Sequence, residues 1–266
     1  VDVDKESWCI DLKEIKKKTN HNTKAIIVTH LYGNVADIVN IKKFCKKKGI
    51  FLIEDAAEAL GSNYKKIFVG TFGDFGCFSF HGSKIITTGE GGMLVTNNKT
   101  LYLKSMILSN HGRKLSQYNT FKAIKFGYKF KLTNIQAALG ISQLKRLNKN
   151  IKIKKNIFQR YVLNLKKYIS FETNQKNKYI SNAYWITNIV FNEKYKIKIN
   201  NLINYLQKFS IQSRHFFPPL SLMTKTKECK NSKFLYNNSI NLPSSLNLTK
   251  KEIDYVSKKI ILYINK

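Results

Sequence analysis

The chain has 266 residues, 43% of them hydrophobic and 12% aromatic, which excludes a disordered chain and supplies enough apolar surface for one large domain or two smaller ones. The formal charge of +31 is unevenly placed: residues 1–110 hold 16 Lys/Arg and 11 Asp/Glu, whereas residues 111–266 hold 31 and 5. Most of the excess is lysine spread among Asn and Ile in every element, which reads as compositional bias. With no helix-turn-helix or RNA-binding fingerprint, nucleic acid is not expected as a partner.

The opening VDVDKESWCIDLKEIKK lacks a basic-then-apolar leader and reads as a strand, and the missing initiator Met implies that an N-terminal portion precedes it. Apolar runs stay shorter than the about 18 residues a membrane span needs, so a cytoplasmic protein without membrane association is expected. KAIIVTH (24–30) is a β-branched strand. VADIVNIKKFCKKKG (35–49) has Ile38, Ile41, Phe44 and Cys45 at helical spacing with Gly49 as its stop, and FLIED (51–55) is a second buried run. This β-α-β unit implies an α/β fold with a mainly parallel sheet whose ligands sit at the carboxyl ends of the strands, where Asp55 stands.

GCFSF (76–80) and MLVTN (93–97) are the next strands, and between them lie Lys84 and the turn TTGEGG (87–92). A helix follows at about 99–110. Thr133 and Gln136 form a capping box for a helix from 134 with a core stripe of Ile135, Ala138, Leu139 and Leu144, and another helix spans about 151–168. The polar, basic NIKIKK at 150–155 marks a boundary between a large domain (1–150) and a smaller C-terminal α+β domain (151–266). The latter has a strand at YWITNIVF (184–191), a helix near 198–209, a strand at 211–216 and a terminal helix boxed by Thr249 and Glu252, with Ile253, Val256, Ile260 and Ile264 as its stripe. Cys9, Cys45, Cys77 and Cys229 have neither C-x-x-C spacing nor His partners at zinc-ligand intervals, so buried thiols are expected, with no metal.

A pyridoxal 5'-phosphate (PLP) enzyme needs a lysine for the cofactor carbonyl, an acid beside the pyridine nitrogen and donors for the phosphate. Candidates for all of these occur in this region. An acid closing a strand is commonplace, a lysine in so basic a chain is usually a surface residue, and a lone histidine near a turn is more often structural. Lys84 stands out by its flanks: Ser79 and Ser83 are anion donors, and Gly82, Gly89, Gly91 and Gly92 permit close approach of backbone to a ligand.

The run EDAAEALGSNYKKIFVGTFGDFGCFSFHGSKIITTGEGGMLVTNN, continued by LSNHGR, resembles the DegT/StrS family of sugar aminotransferases. FGYKFKLTNIQAALG, SRHFFPPLSLM and LPSSLNLT extend the resemblance over nearly the whole chain. It implies the type I PLP-transferase fold and PLP as cofactor. Lys84 is then the lysine that carries PLP and the general base of the proton shift, and Asp55 pairs with the pyridine nitrogen. Glu58 matches the position that approaches the PLP 3-oxygen, where many relatives carry Gln. Ser79 matches a phosphate donor, and His81 sits where an imidazole assists proton transfer. Related dehydratases replace the lysine with His, so Lys84 favours amino transfer.

The same resemblance implies a homodimer with shared active sites, in which Lys131, or alternatively Lys129, reaches the partner's PLP phosphate. Arg214 and His111–Arg113 are candidate substrate contacts. A phosphate loop and an aromatic that stacks on the ring are expected upstream of this sequence. Within the family the match is to the branch that aminates GDP-4-keto-6-deoxymannose with glutamate for surface polysaccharide. A UDP-linked 4-keto sugar or a non-catalytic PLP-fold regulator are the alternatives.

Overall fold

The computed structural model describes residues 1–114, 122–174, 177–224, 226 and 228–265. The expected opening strand is instead a turn: Val3 bridges to Ile10, and the Asp4 carboxylate takes the amides of Glu6 and Ser7. Helix α1 (Leu12–Lys18) leads to β1 (Ala25–Thr29), α2 (Ile38–Lys48) and β2 (Phe51–Asp55). Gly49 ends α2 at φ 65°, where its N–H caps the carbonyls of Cys45 and Lys46, and three lysines in the last turn face the negative end of the helix dipole. The short strands β3 (Asn63–Tyr64) and β4 (Ile67–Phe68) precede β5 (Phe75–Ser79) and β6 (Gly92–Val95).

The main sheet has the order β1-β2-β5-β6, with β1, β2 and β5 parallel and β6 antiparallel to β5. Alternation along the strands sends Ile26, Val28 and Leu52 onto Ile38, Ile41 and Cys45 of α2, building one core. On the opposite face Ile27 and Phe51 are exposed among the described residues.

Helices α3 (Lys99–Ser109) and α4 (Asn134–Leu144) follow, the second opened by the Thr133/Gln136 capping box. Neither buries a residue. The stripe expected to enter a core, Ile135, Ala138, Leu139 and Leu144, is exposed, because no described residue packs over it.

Helix α5 (Leu147–Lys166) runs unbroken through the expected boundary at 150–155. Its alternating Ile and Lys place Ile151 and Ile153 inward and Lys152 and Lys155 in solvent, while Asn150 and Lys154 are buried. Asn150 donates to Ile85 O and Lys154 Nζ to the carbonyls of Trp185 and Ser244, so the helix ties the two halves together.

Beyond it come β7 (Phe171–Thr173), β8 (Ile180–Ser181), β9 (Thr187–Phe191), α6 (Ile199–Gln207), β10 (Arg214–His215), α7 (Leu220–Met223), α8 (Lys230–Asn238), β11 (Ser239–Leu242) and α9 (Lys250–Ile264). The strands β10-β11-β9-β7 form an antiparallel sheet, on which α5, α6 and α9 bury Tyr161, Leu165, Leu202, Leu206 and Ile260. β8 instead pairs with β3 in the first half. A third apolar cluster, with Trp8, Tyr32, Ile85, Trp185 and Phe216, joins the halves where the candidate site lies. All the cysteines are free; Cys9 and Cys45 are buried, and Cys77 and Cys229 half-buried.

Candidate active site

Four segments converge at the carboxyl ends of the parallel strands. Asp55 closes β2, and its Oδ1 accepts from Ala57 N (3.1 Å). Among the described residues its other oxygen takes no bond. Its backbone oxygen receives His30 N (2.9 Å), which fixes the segment after β1. One turn further, Glu58 accepts the Tyr32 amide on Oε2 (2.8 Å) and faces Lys84 Nζ with Oε1 at 3.9 Å.

Lys84 sits in the turn after β5, its amide bonded to His81 O. The Trp185 indole lies 3.8 Å from its Nζ, and the indole N–H donates to Ser83 O (2.8 Å). The Lys84 and Glu58 side chains are only 14% and 11% exposed. Burial therefore lowers the proton affinity of the Lys84 amine, with the charges of Glu58 and Asp55 pulling in the opposite direction. Burial pushes the Glu58 carboxyl up to about 7, against the Tyr32 amide and the Lys84 charge, which lower it.

Tyr32 holds an unusual backbone, φ 56° and ψ 23°, a region that side chains with a Cβ seldom occupy. Its amide is fixed by Glu58, its hydroxyl receives Phe217 N (2.9 Å), and its ring lies against Trp185, Phe216 and Phe217. On the other side of Asp55 the loop 69–76 approaches the strand closely. Gly70 has φ 86° with the Phe78 ring where a Cβ would stand, and a Cβ on Gly76 would meet Gly70 O.

The remaining predicted residues divide. Ser79 closes β5 with its hydroxyl accepting from His81 N (3.3 Å), at the start of the turn that carries Lys84. His81 is exposed, and its ring contacts Ser83 Oγ (3.0 Å) and Glu90 (3.6 Å) rather than Lys84 or Glu58. Lys131 is exposed in the stretch before α4, where Leu132 packs on Gly91 of the Gly-rich turn; Lys129 pairs through its backbone with Asn110. His111 stands at φ 57° with its amide on Tyr128 O. Arg214 is exposed on β10, just before the Phe216–Phe217 wall.

Tyr32, Trp185 and the pair Glu54–His30 were not singled out in the sequence. Glu54 carried a signal, being a charge at an inward position of a buried strand. Trp185 carried none, since it reaches Lys84 from 101 positions away. An amine of reduced basicity, a carboxylate with an open oxygen, a hydroxyl at a strand end and an indole over the amine form a donor set that fits PLP: a carbonyl for Lys84, a ring nitrogen for Asp55 and a phosphate for Ser79.

The sequence signature described as the DegT/DnrJ/EryC1/StrS aminotransferase family matches residues 1–261. The protein named GDP-perosamine synthase in Escherichia coli O157:H7 is 36% identical over 264 residues, covering 98% of this chain and 71% of that one. Its namesake in Vibrio cholerae is 32% identical over 270 residues, covering 99% and 73%. Among solved structures, Helicobacter pylori PseC, an aminotransferase involved in the biosynthesis of pseudoaminic acid, gives a TM-score of 0.90 at 26% identity, covering 99% of this chain and 72% of that one.

Proposed function

The chain belongs to the DegT/DnrJ/EryC1/StrS family of PLP-dependent aminotransferases, and from that premise we propose that it moves an amino group from glutamate to the C4 ketone of a nucleotide-linked 4-keto-6-deoxy sugar. The substrate we favour is GDP-4-keto-6-deoxymannose, giving GDP-perosamine for surface polysaccharide in the cytoplasm, which the names of the E. coli and V. cholerae relatives support. The observation that carries the reading is the Lys84 amine, lowered in basicity and set between Glu58 and the Trp185 indole.

PLP, when bound, supplies an electron sink for the charge that develops at the amino donor's α-carbon. Lys84 would hold the cofactor through Nζ and, once displaced by the donor amine, would serve as general base of a 1,3-proton shift, taking the proton from that carbon and delivering it two atoms away. Asp55 would offer its open carboxylate oxygen to the pyridine nitrogen, Glu58 would serve the 3-oxygen, and Ser79 would contribute a phosphate donor. His81 is a secondary candidate for proton transfer. Lys131, with Lys129 as the alternative, is assigned to the partner's phosphate in a homodimer. The large and small domains are assigned to 1–150 and 151–266, with α5 spanning the division.

Borohydride reduction of the protein incubated with PLP, followed by peptide mass analysis, should fix the cofactor on Lys84. Lys84→Ala should lose that adduct and at least about 100-fold in kcat. A wild-type protein with no adduct at Lys84 overturns the reading. In a panel of 4-keto-6-deoxy nucleotide sugars with glutamate, amination of a UDP-linked sugar but not the GDP-linked one would replace the substrate.

A further inference from the structure

Behind Asp55, β2 carries a second acid that the proposed reaction does not use. Glu54 points to the opposite face of the strand, and both it and His30 are 0% exposed. Its two oxygens take four N–H groups. Oε1 accepts from Phe72 N and Gly73 N (both 2.6 Å), and Oε2 from Gly70 N (2.8 Å) and His30 Nε2 (3.1 Å). Ala36 N donates to His30 Nδ1 (3.2 Å), which leaves the ring proton on Nε2, facing Glu54.

Among the described residues no Lys or Arg pairs with Glu54. A buried carboxylate served only by dipoles is less favourable than a well-packed apolar side chain, so stability alone does not account for it. What the four bonds do is join three segments: β2, residues 30–36 and the loop 69–73. The segment 30–36 supplies the His30 amide that holds Asp55 O and the Tyr32 amide that holds Glu58.

We propose that the Glu54–His30 pair is a positioning device that clamps residues 30–36 and 69–73 onto β2, and so fixes Asp55 and Glu58 relative to Lys84. The inference rests on the PLP reading of that site. Burial pushes the Glu54 carboxyl up, and the His30 bond together with the Gly70 and Gly73 amides outweighs it, holding the group below the ordinary carboxylate range and charged as the clamp requires.

The test compares Glu54→Gln and His30→Gln with Ile41→Ala, a cavity in the same core at a residue of α2 that makes none of the clamp's bonds. Each is measured for thermal midpoint, PLP affinity by absorbance titration, position of the bound cofactor's absorption band, and kcat and KM. Glu54→Gln sets an amide NH2 against N–H donors, and should weaken PLP binding and lower kcat by about 10–100-fold, shift the band, and leave KM for the nucleotide sugar little changed. His30→Gln keeps an N–H donor and should show the same changes in smaller measure. Ile41→Ala should lose thermal midpoint while its band stays in place. If Glu54→Gln does not fold, His30→Gln carries the test. Wild-type affinity, band and kcat in a folded clamp variant, or a band shift as large in Ile41→Ala, overturn the clamp. A wild-type protein that takes no PLP overturns the parent reading instead.

Discussion

Glu58 and Lys84 are moved from their ordinary ionisation in opposite directions by one cause, the loss of solvent in the pocket they share. The Glu58 carboxyl titrates in the folded protein at about 7 against an ordinary 4.5. Its raised value means that its contribution to stability is complete below about 4.5 and is lost as pH rises through about 7. Glu58→Gln should therefore flatten the fall of thermal midpoint across that window and remove an ionisation near 7 from the pH profile of kcat/KM. It should also lower the pH at which Lys84 becomes reactive to acylating reagents, because the Glu58 charge holds the proton on the amine. A profile and a labelling midpoint identical to wild type would sink this account. Asp55 and Lys84 were legible because a strand end and a Gly-rich turn are local patterns. Tyr32 and Trp185 were not, because a left-handed backbone held by Glu58 and a ring brought in from the far half are products of tertiary packing.

The elements read most accurately were those with local chemistry at their ends: α2, stopped by Gly49, and α4 and α9, each opened by a complete capping box. The polar run 150–155 lies within α5, because Ile151, Ile153 and Ile157 follow the inward side of a helix and the lysines between them mostly face water. Lys154 is the exception. Its amine is buried on the Trp185 and Ser244 carbonyls, and burial lowers it from 10.5 to about 8. A lowered lysine contributes stability that is present above about 10.5 and lost as pH falls through about 8. Urea midpoints of the wild type should accordingly gain a component that rises between those values, and Lys154→Met should remove it. An unchanged slope in the variant would show that the amine is solvated.

At the scale of the whole molecule the α/β class followed from the β-α-β unit, but the exposed faces did not. Phe126 and Phe130 are 81% and 74% exposed, Ile135 on α4 is 84% exposed, and Ile27 and Phe51 on the second face of the main sheet are exposed too. Periodicity identifies an apolar stripe without saying which surface covers it. Exposed apolar patches mark contact sites for partners, ligands or membranes, and we propose the homodimer as the cover here. Sedimentation should give twice the 30.8 kDa chain mass. Association should strengthen with salt, because screening weakens repulsion between two chains of charge +31. Ile135→Lys with Phe130→Lys should return a folded monomer, and a wild type that stays monomeric at all salt concentrations would count against the dimer.

Helix α5 has a mechanical consequence. Twenty residues make a rod about 30 Å long. Asn150 near one end grips the carbonyl of Ile85, the residue next to Lys84, while Tyr161 and Leu165 near the other are embedded in the second half of the chain. Such a rod acts as a lever: a tilt of a few degrees at the far end swings the near end by about 2 Å. A tilt of α5 would therefore reach the backbone beside Lys84.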